Sequence, residues 1–391
     1  MWYLALGPQE IFQQEKETIM KIHIRLGVFI TIFTSLIFNP VAWATDDEPY
    51  ENSAEHKALI EESKKEMGLL IYSNIAEYNW VPILEEFVKK YPWMKSRVET
   101  MDSGPSASFE RYYSEVFVKR RTADMIVAGS PGSWLRFYDK GEVEPYSSPM
   151  GDAIPEWSKP LPGLYTISTD PMIIIYNKLL LKEGERPDEL QDFVEWSKDA
   201  KFVNKVTSYN AASHSFGLAI HWNLDKFLGD KSDGLVGALG QITRLEGGGS
   251  VMADKVIAGE YLAGYFVSGI TIFPHMDQPL RGKIMGWSLI KDGTPLFIRG
   301  MGLTRQASSP ASAKLLLNFI LSHDGQVAVG QGGLTPYRDD VKQGEVPFVT
   351  YADIVDEIGV ENIIPVGYDR RIIKETEPFL KKWKKFYRIA D

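Results

Sequence analysis

Along most of this chain, short apolar bursts that end in small polar residues alternate with stretches in which apolar residues return every three or four positions. GLLIYSN (68–74) has the form of a buried strand, and YNWVPILEEFVKKYPW (78–93) repeats apolar residues at helical spacing before stopping at Tyr91-Pro92. SRVETMDSG (96–104) is strand-like, SASFERYYSEVFVKRR (106–121) helix-like, and ADMIVAGS (123–130) a strand again. Strand, helix, strand, helix, strand predicts a parallel sheet covered by helices.

LYTISTDPMIIIYNKLLL (164–181), interrupted at Thr169-Asp170-Pro171, reads as a crossover into a second domain. That domain opens with a helix over PDELQDFVEWSKDAKF, and Gly247-Gly248-Gly249-Ser250 precedes another. GEYLAGYFVSG (259–269) reads as a buried strand holding Tyr261 and Tyr265, and KDGTPLFIRGMGLT (291–304) as a turn and a strand. SPASAKLLLNFILSHDGQVAV (309–329) predicts a helix pair with Asp324-Gly325 between, and EPFLKKWKKFYRIA (377–390) an amphipathic helix.

The first three strands each end in small polar residues: Ser73-Asn74, Asp102-Ser103-Gly104-Pro105-Ser106 and Gly129-Ser130-Pro131-Gly132. In open α/β sheets a ligand sits beyond the carboxyl ends of the strands, where such loops gather. The polar stretch Ser208 to Ser215 precedes an apolar helix from Gly217 onward, so Ser213 or Ser215 can stand at a helix N-terminus, which favours an anionic group.

The N-terminal region follows a different logic. A short basic start from Met20, the apolar run LGVFITIFTSLIF and Ala42-Trp43-Ala44 form a signal peptide over 20–44, cleaved after Ala44. The residues before Met20 carry three glutamates and read as an overlong start. The apolar run is shorter than the roughly 20 residues a spanning helix needs, and an uncleaved anchor is the alternative. A periplasmic protein is expected. Its formal net charge of −9 argues against a nucleic-acid or anionic-membrane surface. With no cysteine, stability rests on core burial, and thiolate metal sites and a cysteine nucleophile are excluded.

Catalytic signatures are missing: no H-E-x-x-H, G-x-S-x-G, G-x-x-x-x-G-K-[ST], or G-x-G-x-x-G after a strand. The triple glycine at 247–249 has no lysine beside it and reads as a turn. His221 and His275 lack metal-ligand spacing.

In this order, LLIYSN, ADMIVAGS with KGEVEPYSSP, IIIYNK, AGEY, and AKLLLNFILSHDGQ followed by TPYRDD extend from about Gly68 to Asp340. Together they resemble the type II periplasmic solute-binding proteins of ABC importers, in the cluster that includes ferric-ion binders. The resemblance implies an α/β, two-lobe fold with a hinge and a ligand cleft between the lobes. Lobe 1 is expected over 45–168 and 300–341, lobe 2 over 169–299, and C-terminal helices over 342–391 packing back on the lobes. It further implies a monomer without cofactor or catalysis that hands a small-molecule solute to an ABC permease in the inner membrane.

In ferric binders, the resemblance implies, an adjacent Tyr-Tyr pair follows the strand that begins after the Gly-Glu dipeptide, since phenolate suits Fe³⁺. Here those positions are Gly269 and Ile270, and the first loop, SNIAEY, lacks the family's histidine. Tyr261 and Tyr265 are therefore expected to be packing residues, and no metal site is expected. Where ferric binders carry a basic residue at the crossover, this chain has Asp170.

The expected solute is an organic anion, a zwitterion or a hydroxylated acid. Its contacts are expected from Ser73, Asn74, Asp102, Ser103, Gly104, Ser106, Gly129 and Ser130 on one side. Asp170 serves at the crossover, and Asn210, Ser213, His214, Ser215, Ser268 and Gly269 on the other side. Ferric-ion uptake, partnership with a membrane sensor kinase and an exported enzyme are the alternatives.

Overall fold

A computed structural model describes residues 48–276 and 278–389, so the signal-peptide segment 20–44 lies outside the described residues. Ten strands are described: β1 (Leu69–Ser73), β2 (Val98–Asp102), β3 (Met125–Ala128), β4 (Leu164–Asn177), β5 (Val206–Tyr209), β6 (Thr243–Glu246), β7 (Ala263–Ser268), β8 (Met285–Ser288), β9 (Thr294–Leu303) and β10 (Ile363–Val366). Strand order is β2-β1-β3-β9-β4-β7-β5-β6, with β10 added to β9 and β8 to β4.

The long strand β4 changes partner along its length. Through Pro171 it pairs antiparallel with β9, and from Met172 it pairs with β7 and β8. Its register against β9 shifts between Thr166 and Thr169, and the Thr169 N–H donates instead to the Thr335 carbonyl at 3.0 Å. The result is two sheets on one plan. The first runs β2-β1-β3-β9-β4 and the second β6-β5-β7-β4-β8, each with four strands running one way and one antiparallel strand, β9 or β4, crossing from the other half. β1, β3, β5, β7 and β9 are buried from end to end, as strands of a covered sheet should be, although β5 (VTSY) is half polar.

Without disulfides, large rings carry the core: Trp80, Trp134, Trp222 and Trp383 are fully buried. The Trp134 indole N–H donates to the Ala128 carbonyl at 2.9 Å. A Cβ on Gly300 would come within 2.5 Å of that indole nitrogen, so β9 needs a glycine there.

The helix pair after β9 spans Pro310–Leu321 and His323–Gln331 and packs back on helices Ala54–Ser63 and Glu77–Lys90 of the first lobe. Its break lies at Ser322, not at Asp324-Gly325: the extended Ser322 caps the second helix by accepting from the Gly325 N–H at 3.2 Å. Gly325 is demanded by packing, because a Cβ would sit 1.7 Å from the Phe319 carbonyl oxygen. The C-terminal region, expected as helices, also carries the strand β10, while helix Arg371–Phe386 packs on Ser215–Leu228 and Ser232–Ile242 of the second lobe.

Candidate functional site: a serine seam between the lobes

Three helices begin at one place between the lobes. Ser106 precedes Ala107–Phe117, Ser130 precedes Pro131–Asp139, and His214 precedes Ser215–Leu228. None of these flanking side chains caps a backbone N–H of its own helix. The hydroxyls bond to one another instead. Ser106 Oγ donates to Ser215 Oγ of the second lobe at 3.0 Å, Ser130 Oγ to Ser133 Oγ at 2.9 Å, and Ser133 Oγ to Ser106 Oγ at 3.4 Å. Each helix N-terminus presents partial positive charge, so the seam is a favourable place for a negative group.

Beside the seam lies a cavity of about 230 Å³. Ser130, Ser133, Ser215 and the exposed Arg136 line its polar end, and Leu218 and Ile372 its apolar wall.

Deeper, where β4 and β9 cross between the lobes, Arg299 is buried. Its Nε donates to Asp170 Oδ2 at 2.6 Å and its Nη1 to Asn74 Oδ1 at 2.7 Å. The guanidinium carbon lies 5.6 Å from the centre of the Phe216 ring, which stacks on Phe297. Asn74 Oδ1 also accepts from the Gly129 N–H at 2.9 Å, and the Ser168 hydroxyl donates to Asp170 at 2.9 Å. A Cβ on Gly129 would meet the Phe216 ring at 3.0 Å and Arg299 Nη1 at 3.2 Å.

No family model matches the chain, and no curated protein matches it by sequence. Solved structures do match. The substrate-binding protein of an ABC transporter from Agrobacterium tumefaciens superposes with a TM-score of 0.71 at 18% identity, covering 82% of this chain and 96% of that one. AfuA from Actinobacillus pleuropneumoniae, a periplasmic binding protein with fructose-6-phosphate bound, gives 0.63 at 18% identity over 83% and 99% of the two chains. Iron-bound HitA from Pseudomonas aeruginosa gives 0.63 at 14% identity over 82% and 99%. This chain has the two-lobe fold of a periplasmic binding protein.

Within the binding-protein fold, the residues expected at the cleft divide into groups. Ser106, Ser130 and Ser215 meet at the seam, and Asn74, Gly129 and Asp170 surround Arg299. Ser73, Ser103 and Asn210 spend their side chains locally. The Ser73 hydroxyl accepts from the Ile75 N–H and the Trp80 indole, Ser103 Oγ pairs with Ser108 Oγ, and Asn210 Oδ1 accepts from the Ala212 N–H. Asp102, Gly104 and Ser213 are exposed. Partial desolvation raises the Asp102 carboxyl above its ordinary range. The His214 ring stacks on Tyr209, its Nδ1 is buried without a partner, and burial lowers its pKa, favouring the neutral ring. Ser268 keeps a buried, unpartnered hydroxyl. Gly269 begins helix Gly269–Met276, and a Cβ there would lie 2.8 Å from Phe273 and 3.2 Å from Pro171.

Tyr261 and Tyr265 are packing residues. Both are buried, with Tyr261 donating to Glu246 at 2.5 Å and the Tyr265 hydroxyl 2.8 Å from that of Tyr387. Sequence reasoning missed Ser133, Arg136, Phe216 and Arg299. Arg299 had a visible signal: a lone arginine inside the apolar strand TPLFIRGMGL must find a buried counter-charge.

Proposed function

We propose that this protein is an exported solute receptor that closes its two lobes on a small oxyanionic solute and delivers it, as a periplasmic monomer, to an ABC permease of the inner membrane. One observation carries this reading: three helix N-termini and four serine hydroxyls, drawn from both lobes, converge beside a small cavity that Arg136 also lines. Hydroxyl donors, helix N-termini and an arginine suit phosphoryl, phosphonyl or carboxylate oxygens. The cavity, near 230 Å³, is smaller than the roughly 300–1,000 Å³ of drug-sized ligand sites, which favours a small solute. Its apolar wall accommodates a short carbon skeleton, as in a hydroxylated acid. The fold's likeness to substrate-binding proteins of ABC transporters supports the transport role.

The ferric alternative finds no phenolic pair at Gly269 and Ile270. Among the described residues, no group of three or more His, Cys, Asp or Glu side chains is arranged to hold a metal ion.

A thermal-shift screen tests the proposal, using phosphate, phosphonates, organic acids, amino acids, sugars and ferric citrate. A ligand at one hundred times its Kd adds about 2.7 kcal/mol, enough to raise the midpoint by several degrees. Stabilisation by an oxyanion class, with no turnover, is expected. Stabilisation by ferric ion alone, or steady consumption of the ligand, would replace this reading.

A further inference from the structure

We propose that Arg299 is a specificity-determining residue, the resident cation of the cleft, which fills a guanidinium site between the lobes and bars cationic solutes from it. The inference rests on reading the cleft as an anion site and adds what fixes the sign of that selectivity.

The partners of Arg299 are the set a free guanidinium would require. Asp170 supplies a buried carboxylate from β4, oriented by the Ser168 hydroxyl. Asn74 supplies an amide oxygen from the loop after β1, and that oxygen is fixed in turn by the Gly129 N–H. Phe216 supplies a ring face from a helix of the second lobe. The carboxylate, the amide oxygen and the ring face all attract positive charge, and the planar, permanently charged guanidinium satisfies all three at once. They come from the crossing strand, the first lobe and the second lobe, so the site exists only where the lobes meet.

Two consequences follow from the chain carrying this cation on its own backbone. A cationic solute at the seam finds the carboxylate taken and feels the like charge buried behind Gly129 and Phe216. An anionic solute at the seam meets no unbalanced Asp170. Removing the guanidinium leaves a buried, uncompensated carboxylate in a space shaped for the missing group, and that space should take up the group from solution.

The experiment uses the full chain carrying Arg299→Ala, with methylguanidinium chloride at millimolar, non-denaturing concentration as the probe and methylammonium and sodium chloride as controls. The wild type is expected to be indifferent to all three salts. The variant is expected to melt several degrees lower, and methylguanidinium alone is expected to restore at least half of that loss. No selective recovery by methylguanidinium, or an equal response of the wild type, overturns the proposal. If the variant does not accumulate as folded protein, its refolding yield with and without methylguanidinium reads the same site, and an unchanged yield also overturns the proposal.

The pair Asp170→Asn/Arg299→Ala separates demand for a counter-charge to Asp170 from simple loss of packing volume. It is expected to regain stability yet ignore methylguanidinium, and a response to the cation without the Asp170 charge counts against the site. Because the readout is a cation in the variant, it is independent of the oxyanion screen: a wild type that binds no oxyanion bears on the proposed function alone.

Discussion

The two lobes are folded on one plan, yet their equivalent strand ends are used differently. In the first lobe β3 ends at Gly129-Ser130, and the helix that follows leaves Ser130 and Ser133 on the seam. In the second lobe the equivalent β7 ends at Ser268-Gly269, where Phe273 and Pro171 close the space. β1 ends in Ser73-Asn74, and Asn74 holds Arg299; β5 ends in Tyr209-Asn210, where Tyr209 is buried and Asn210 closes a local turn. The second lobe enters the site mainly through one helix start, with Ser215 on the seam and Phe216 on the guanidinium. Topology brings the loops together, and residue size and hydrogen-bond demand decide which loop ends stay unpacked.

The largest expected effect falls on the strand pair that both lobes share. Asp170→Ala strands the buried Arg299 charge and should cost about 3–5 kcal/mol in denaturant unfolding. A loss below about 1 kcal/mol would mean that the crossing strands do not depend on the pair.

Acid should weaken the second lobe through His221. Burial among Phe266, Trp383 and Tyr387 lowers the His221 pKa from 6.5 to about 3. The unfolded chain then binds a proton that the folded one refuses. The contribution of His221 to stability is therefore full above pH 6.5 and is lost as pH falls toward 3, at about 1.4 kcal/mol per unit. Unfolding curves of wild type and His221→Leu measured across that range should converge on acidification, and parallel curves would count against this assignment.

At the seam, Ser215→Trp should reduce solute affinity roughly a hundredfold, about 2.7 kcal/mol, by filling the space against Ser106. Ser213→Trp, two residues away but exposed, should change it far less, and calorimetry comparing the two variants sharpens the contrast within one loop. Arg136→Ala is expected to cost about tenfold in oxyanion affinity, with little change for a neutral solute.

The smallest effect concerns the tie between the lobes outside the cleft. Arg370 donates two bonds to Asp139, both at 2.9 Å and both largely exposed, so Arg370→Ala should cost about 0.2–1 kcal/mol.

Much of this was legible in the sequence because hydrophobic bursts mark covered strands. The segments around β1, β3, β4 and β9 stood out as apolar runs, and Ser106, Ser130 and Ser215 as small polar residues at their ends or at a helix start. Four-residue strands such as β6 and β8 carry too little pattern to separate from the helices beside them. Arg299 was passed over because its partner lies 129 residues away, and only the fold brings them together. Ser73 shows the opposite limit. It has the composition of a ligand residue, but its hydroxyl is engaged by Trp80, a direction no segment reading supplies.

Calorimetric titration of wild type and Ser215→Trp, with whichever oxyanion the thermal screen selects, asks whether the solute sits at the seam. One site per wild-type chain is expected, with affinity lowered roughly a hundredfold in a variant that melts as the wild type does. Equal affinity in the two proteins would place the solute away from the seam.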